Sequence, residues 1–197
     1  MPLPAPPPPA ALRAALRHGT DDLHMRLDAG IGPLTTKAEY LAYLQGSFAF
    51  RAAIEPALHA AAEAAGWAPI RLAPTIAEDL ATLGLARPRP VTAPALEGLP
   101  AIAGALYVLE GSALGGVLIA RRAAALGYGP DSGAAHLHRQ TARPGRWRAF
   151  LAWMEGHDLD PRPSVAAART VFGVALLAYG QAPDPAGPRS KPKANGT

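Results

Sequence analysis

A histidine and a carboxylate stand four residues apart near the start of the chain, and this pair is the first candidate for chemistry. His24 lies at the edge of an apolar stripe on a predicted helix, so its ring borders the core. Asp28 is one turn further along, where its carboxylate can accept a hydrogen bond from one ring nitrogen and make the imidazole a better metal ligand. The alternative is an ordinary i, i+4 surface pair. The leucines of the stripe are Leu12, Leu16, Leu23 and Leu27.

Two arginines of the same predicted helix lie on the same face as His24. Arg17 and Arg13 each lie about 20° from His24 around the helix axis, because successive residues turn by about 100°. Guanidinium groups in a row suit the carboxylates of a ligand that lies over this face, although solvated arginines give the same pattern. His18 falls almost opposite the stripe and is predicted to face water.

A second segment, 105–119, reads as one long apolar helix with glycines and a serine in its middle. Each interior glycine costs a helix about 1 kcal/mol relative to alanine, so Gly111, Gly115 and Gly116 indicate close approach to the backbone or a bend. Gly111 and Gly115 also match a membrane packing motif, and the longer apolar run 99–120 is long enough to span a bilayer. Glu110 at its centre argues against that location, and a buried helix of a soluble bundle explains the pattern better.

Composition narrows the function classes. The 197 residues are 49% hydrophobic and contain no cysteine, which excludes disulfides, thiolate metal sites and thiol nucleophiles. The net charge of +4 comes without a basic-aromatic stripe or a known motif, so nucleic-acid binding is not expected. A basic surface that attracts an acidic protein or a small anionic ligand is the preferred interpretation. The N-terminus lacks the pattern of a secretory signal, and we expect a cytoplasmic protein without a membrane anchor.

Helical spacing recurs along the chain and no strand is convincing. A capping box of Thr36 and Glu39 should start the second helix, and Pro56 should kink it or end its first half. We therefore predict a single all-α domain of six or seven helices over residues 10–180, with disordered tails at 1–9 and 183–197. His136 and His138 fall in a loop or short helix. The predicted helices run over about 10–29, 36–65, 74–84, 100–126, 146–157 and 164–179.

Several common catalytic motifs are missing. The chain has no H-E-x-x-H and no paired E-x-x-H, which argues against zinc hydrolase and di-iron chemistry. Ser112 lacks the spacing and the preceding strand of a nucleophile elbow. The glycines do not match the phosphate-binding pattern G-x-G-x-x-G.

The two candidate segments together resemble the heme oxygenase family. The residues that match are Leu16-Arg17-x-x-Thr20-x-x-x-His24-x-x-x-Asp28 and Gly111-Ser112-Ala113-Leu114-Gly115-Gly116. The longer string Leu106-Tyr107-Val108-Leu109-Glu110-Gly111-Ser112 is similar to the bacterial branch associated with bacteriophytochromes. Weaker similarity continues through Trp147-Arg148-x-Phe150-Leu151 and 167–172, so the resemblance covers about residues 10–180.

The resemblance implies a role for each matching residue. His24 would be the proximal ligand of the iron of heme b, with Asp28 orienting its second ring nitrogen. The helix around Gly111, Ser112, Gly115 and Gly116 would be a distal helix, kinked at its glycines so that backbone lies over the porphyrin and leaves room for O2. Phe172 would form part of the pocket wall. The residues that would hold the heme propionates are Arg17 and, with less support from the pattern, Arg13, Tyr107, Arg146 and Arg148.

The resemblance also implies a reaction. Heme would be both cofactor and substrate, cleaved by O2 and external electrons to biliverdin, CO and ferrous iron. An acidic ferredoxin or flavodoxin would suit the basic surface as electron donor, and a bacteriophytochrome is a candidate acceptor of biliverdin.

One position departs from the family pattern. Many heme oxygenases have an aspartate where this chain has Ser112, and a hydroxyl can hold a water but carries no charge. A non-degrading heme carrier or sensor on the same fold is therefore the alternative. The alternative for Ser112 itself is a small residue that allows close helix packing. Thiaminase-related proteins share the fold, but they usually use a catalytic cysteine, which is absent here.

Overall fold

Seven α-helices make up most of residues 9–181, the part of the chain that the computed structural model describes. No strand occurs between residues 9 and 181, so the all-α prediction is confirmed for that range. Pro9 begins the first helix, while 1–8 and the predicted tail at 183–197 lie outside the described residues. In chain order the helices are α1 (Pro9–Ile31), α2 (Lys37–Ala64), α3 (Ala73–Thr82), α4 (Gly98–Ala125), α5 (Ala135–Thr141), α6 (Arg146–Glu155) and α7 (Pro161–Ala178).

The predicted capping box starts α2. The Thr36 hydroxyl accepts a hydrogen bond from the backbone N–H of Glu39 at 3.2 Å, and the Glu39 carboxylate accepts one from the Thr36 N–H at 3.1 Å. Pro56 does not end the helix, because α2 continues through it to Ala64. The segment around His136, predicted as a loop or short helix, is the short helix α5.

Two buried carboxylates from other helices cap α3 and α5. Glu55 of α2 accepts hydrogen bonds from the backbone N–H groups of Leu72 and Ala73 at 2.8 and 3.0 Å. Asp79 of α3 accepts from the N–H groups of Ala135 and His136 at 2.9 and 3.0 Å. These contacts satisfy donors that a helix start leaves without a partner, and they link α2 to α3 and α3 to α5. Sequence patterns along one helix do not contain this information.

Close helix packing explains Gly104 of α4. The main core is formed by residues of α1, α2, α4, α6 and α7, and α4 packs most extensively on α7. Gly104 lies where α4 meets the start of α7, and a Cβ at this position would overlap the backbone carbonyl of Ser164. Gly104 is therefore required by the backbone of a neighbouring helix.

Gly104→Ala should destabilise the fold. The added methyl group must push α4 away from α7, and overpacking of this kind costs about 1–3 kcal/mol, which outweighs the gain in helix propensity. Urea unfolding measures the difference. Gly115→Ala is the matched control, because a Cβ there meets nothing within 4 Å and should leave stability equal or higher. Equal unfolding free energies for the two variants would contradict this account of the α4–α7 contact.

The long apolar helix α4 is a core helix in this fold. By length and composition alone it could cross a membrane, with a mean hydropathy of 1.7 in its most apolar window, but 50% of that window is buried inside the protein. The helix is continuous from Gly98 to Ala125, through all of its glycines. The predicted kink at these glycines remains a prediction.

Candidate functional site

A cleft of about 730 Å³ lies between α1 and α4, with residues of α2 and α7 also lining it. This volume is in the range of small-molecule and cofactor sites. The two segments that the sequence analysis singled out face each other across this cleft. The predicted site residues that line it are His24, Asp28, Tyr107, Gly111, Ser112, Gly115 and Phe172.

His24 is held by Asp28 and Phe172 in an orientation that suits a ligand. Its Nδ1 lies 3.1 Å from a carboxylate oxygen of Asp28, and its ring meets that of Phe172 edge-on with centroids 5.9 Å apart. The side chain of His24 is 61% exposed although the residue lines the cleft. The carboxylate beside Nδ1 favours the tautomer with the proton on that nitrogen, which leaves the lone pair of Nε2 available for a metal ion. His18 is exposed, as predicted.

An ion pair fixes α1 on α7 just before His24. Arg169 of α7 donates two hydrogen bonds to the carboxylate of Asp22, at 2.7 and 2.9 Å, and a third to the Gly19 carbonyl. The hydrogen bonds from Arg169 hold the pKa of Asp22 below its usual value. Both partners are about half exposed, so this pair positions the helix more than it stabilises the fold.

The glycines of α4 have different neighbours. Gly115 and Gly111 line the cleft; a Cβ at Gly115 would meet nothing within 4 Å, and one at Gly111 would touch the Trp147 ring at 3.7 Å. Gly116 is buried and faces α5, where a Cβ would lie 3.3 Å from the Gln140 amide oxygen. Gly116 does not line the cleft, and its small size lets α5 approach α4; its predicted contact with a cofactor remains a prediction.

The hydroxyl of Ser112 is the centre of a polar network that the sequence analysis missed. It donates to the Leu109 carbonyl at 2.6 Å, as a helical serine often does. It also accepts hydrogen bonds from Arg51 of α2 and from the Gln140 side chain of α5, both at 2.8 Å. Arg51 and Gln140 line the cleft. The sequence did contain one indication that Arg51 is a site residue: it is a charged residue inside the apolar stretch from Phe48 to Ile54.

Glu110 and Arg146 form a buried ion pair away from the cleft. Arg146 donates to both carboxylate oxygens of Glu110 at 2.6 and 2.7 Å, and Trp67 donates its indole N–H at 2.9 Å. The guanidinium of Arg146 also lies over the Trp67 ring, 4.7 Å from its centroid. Arg146 was expected to hold a propionate. It does not line the cleft, and its charge is used to satisfy Glu110.

Glu110→Ala should lower the free energy of unfolding by about 3–5 kcal/mol, because it leaves the guanidinium of Arg146 without its carboxylate partner. Glu110 is only 6% exposed, so water cannot compensate fully. Asp22→Ala, which breaks the exposed pair with Arg169, is the control and should cost about 1 kcal/mol or less. Urea unfolding distinguishes the two. A loss as small as that of the control would show that the buried pair contributes little.

The remaining predicted arginines differ in their relation to the cleft. Arg13 and Arg17 are exposed on α1, and their charges counteract the burial that raises the pKa of Tyr107, a residue of the cleft wall. Both therefore lie close enough to Tyr107 for their charges to act on it. Arg148 is exposed and does not line the cleft. Arg122, which was not predicted, does line it and donates to the Gly32 carbonyl at 3.3 Å.

His136 is another cleft residue that sequence patterns did not single out. It is 1% exposed, and its Nδ1 lies 2.7 Å from the carboxylate of Asp79. Its Nε2 has no hydrogen-bond partner within the described chain. The carboxylate that fixes its ring comes from α3, 57 residues away.

Of three comparisons with known proteins, the one with solved structures found a similar fold. No protein-family model and no curated protein matches the chain. Among solved structures, it is similar to the NO- and CO-bound heme oxygenase from Neisseria meningitidis, with a TM-score of 0.70 and 25% sequence identity. The match covers 88% of this chain and 94% of that chain. The helical architecture of residues 9–181 is therefore that of a heme oxygenase.

Proposed function

We propose that this chain is a heme oxygenase, which cleaves heme to biliverdin, CO and ferrous iron with O2 and external electrons. One observation carries the proposal: His24 and the glycines Gly111 and Gly115 line the same cleft, in a fold shared with a solved heme oxygenase. A fold alone does not define a reaction, so the argument depends on this site.

The cleft fits heme better than it fits a bare metal ion. No group of three or more histidine, aspartate, glutamate or cysteine side chains that could hold a metal ion occurs between residues 9 and 181. A porphyrin brings four nitrogen ligands itself, so one histidine suffices. Two leucines that line the cleft, Leu114 and Leu118, are 59% and 50% exposed. A ligand with a large apolar face would remove them from water, which is favourable.

His24 and Asp28 would hold the iron. The Nε2 atom of His24 would bind the iron, and the Asp28 carboxylate, 3.1 Å from Nδ1, would favour the proton on Nδ1 and orient the ring. Phe172 packs against the imidazole and limits its rotation. When bound, heme supplies the iron that activates O2 and the ring that is oxidised.

The glycines of α4 would leave the opposite face accessible to a small gas and little else. A side chain at Gly115 would project into open space, so its absence keeps backbone rather than side chain at this wall. Ser112 places its hydroxyl beside this wall, together with the donors of Arg51 and Gln140. These groups can hold water, and they differ from the carboxylate that many heme oxygenases have here.

Basic residues near the cleft would hold the two propionates. Arg17 and Arg13 lie close enough to Tyr107 for their charges to act on it, and Arg122 lines the cleft itself. Guanidinium groups bind carboxylates in a fixed geometry, so they would also decide which edge of the porphyrin is oriented for cleavage.

We further propose an acidic ferredoxin or flavodoxin as the electron donor, because the chain carries a net charge of +4. A bacteriophytochrome is proposed as one acceptor of biliverdin, and the cytoplasm as the location. The support for these three is the sequence resemblance and the charge.

The test is to add hemin and then ascorbate or a ferredoxin system to the purified protein. We expect a Soret band that forms with hemin and then decays while a biliverdin absorption rises. The second candidate function, a heme carrier, is favoured by Ser112 in place of the carboxylate. It predicts a stable Soret band with no verdin product, and that result would overturn the oxygenase proposal.

A further inference from the structure

Arg51 is a buried cation next to the glycines of the candidate heme site. Its side chain is 8% exposed and belongs to α2, yet it reaches across to Ser112 of α4. Within residues 9–181 its hydrogen bonds all leave from Nη2, to the Ser112 hydroxyl at 2.8 Å and the Leu109 carbonyl at 3.5 Å. The N–H groups of Nε and Nη1 therefore remain for another acceptor.

The charge of Arg51 is only partly balanced. The nearest carboxylate, Glu55, is 3.7 Å from Nη1, which is too long for a hydrogen bond. Both oxygens of Glu55 already accept backbone N–H groups at the start of α3. The positive potential extends beyond this pair, because Arg51 counteracts the burial that raises the pKa of Tyr43 and of Tyr179, which also line the cleft.

The side chains next to Arg51 add hydrogen-bond donors to the part of the cleft wall that Arg51, Ser112 and Gln140 form. The hydroxyl of Ser112 has given its proton to the Leu109 carbonyl, and the Gln140 amide donates toward Ser112. Arg51, Ser112 and Gln140 all line the cleft. This part of the cleft wall therefore presents the positive charge of Arg51 and the amide N–H groups of Gln140. The lone pairs of the Ser112 hydroxyl already accept hydrogen bonds from these two residues.

We infer that Arg51 and Gln140, both held by the hydroxyl of Ser112, form a subsite for a small anion on the glycine side of the cleft. The inference rests on the proposed function. It adds that the glycine side of the heme site prefers small ligands with a negative charge to neutral ones. A buried guanidinium binds an anion through charge-assisted hydrogen bonds, which are stronger than those to a neutral ligand. The ligand class is a monovalent anion such as fluoride or azide.

The probes are fluoride and imidazole, titrated optically against the ferric heme complex of the full chain. Arg51→Gln should weaken fluoride binding by about 10- to 100-fold, because it removes a charge-assisted hydrogen bond. The affinity for imidazole, which is neutral, should change much less. Arg51→Lys should restore most of the fluoride affinity. Arg162→Gln removes an exposed guanidinium that does not line the cleft and should leave the fluoride affinity unchanged.

A second variant tests the subsite without removing Arg51. Ser112→Asp places a carboxylate within ion-pair distance of the guanidinium, so it should neutralise the charge and weaken fluoride by about tenfold or more. Ser112→Asn, of similar size and uncharged, should retain the affinity. These variants keep the buried arginine paired, so they test the inference even where Arg51→Gln fails to fold.

The outcomes separate this inference from the proposed function. A complex that forms with hemin but binds fluoride equally well in wild type, Arg51→Gln and Ser112→Asp overturns the anion subsite alone. A loss of hemin affinity in Arg51→Gln with unchanged fluoride affinity also overturns it, because Arg51 would then hold a propionate. A chain that binds no hemin overturns both.

Discussion

His24→Ala should abolish the histidine-ligated spectrum of the ferric heme complex and reduce biliverdin formation to the level of free hemin. The imidazole is the one cleft histidine that has both an open ring nitrogen and a large exposed surface, whereas His136 is buried. Absorption and electron paramagnetic resonance spectra of the complex measure the ligation. Added imidazole should restore the axial bond in the variant, since the substitution leaves space for it.

His18→Ala is the matched control for this substitution. The residue is exposed on the same helix and does not line the cleft, so its loss should leave the spectrum unchanged. An unchanged spectrum in His24→Ala would show that another group ligates the iron, and the assignment of the two faces of the cleft would then be wrong.

Gly115→Leu should fold normally and lose most of its affinity for hemin. A Cβ at this position meets nothing within 4 Å, so the substitution adds no clash within the protein. The side chain would instead occupy the cleft, and an overlap of this size costs about 1–3 kcal/mol, or about a tenfold or greater loss of affinity. Fluorescence quenching by hemin measures binding, and urea unfolding verifies the fold.

Gly173→Leu provides the comparison for Gly115→Leu. Gly173 is a glycine of α7 that also has open space around its Cβ position, but it does not line the cleft. Its substitution should leave hemin affinity unchanged. Equal affinities in the two variants would mean that Gly115 does not face the ligand.

The helices were predictable where local signals specify them. Periodicity placed six of the seven helices, and the capping box of Thr36 and Glu39 marked the start of α2. Pro56 was predicted to kink α2 or to end its first half; the helix continues through it, and a kink there remains a prediction. The segment of α5 was predicted as either a loop or a short helix. The sequence could not decide between them, because the carboxylate that caps α5 is that of Asp79 from another helix.

In the candidate site, contacts within one helix could be predicted from the sequence, whereas contacts between helices could not. His24 and Asp28 are one turn apart, so helical geometry predicted their contact. The contact of Arg51 with Ser112 joins residues 61 apart, and that of Gln140 with Ser112 joins residues 28 apart. Such pairs depend on how α2, α4 and α5 pack. The pairing of Arg146 with Glu110, 36 residues away, was not predictable for the same reason.

The most direct test of the account is the crystal structure of the ferric heme complex of this chain. The account predicts heme in the cleft between α1 and α4, with the iron bound to Nε2 of His24 and the backbone of Gly111 and Gly115 over the opposite face. Heme bound outside this cleft, or an iron ligated by a residue other than His24, would contradict it.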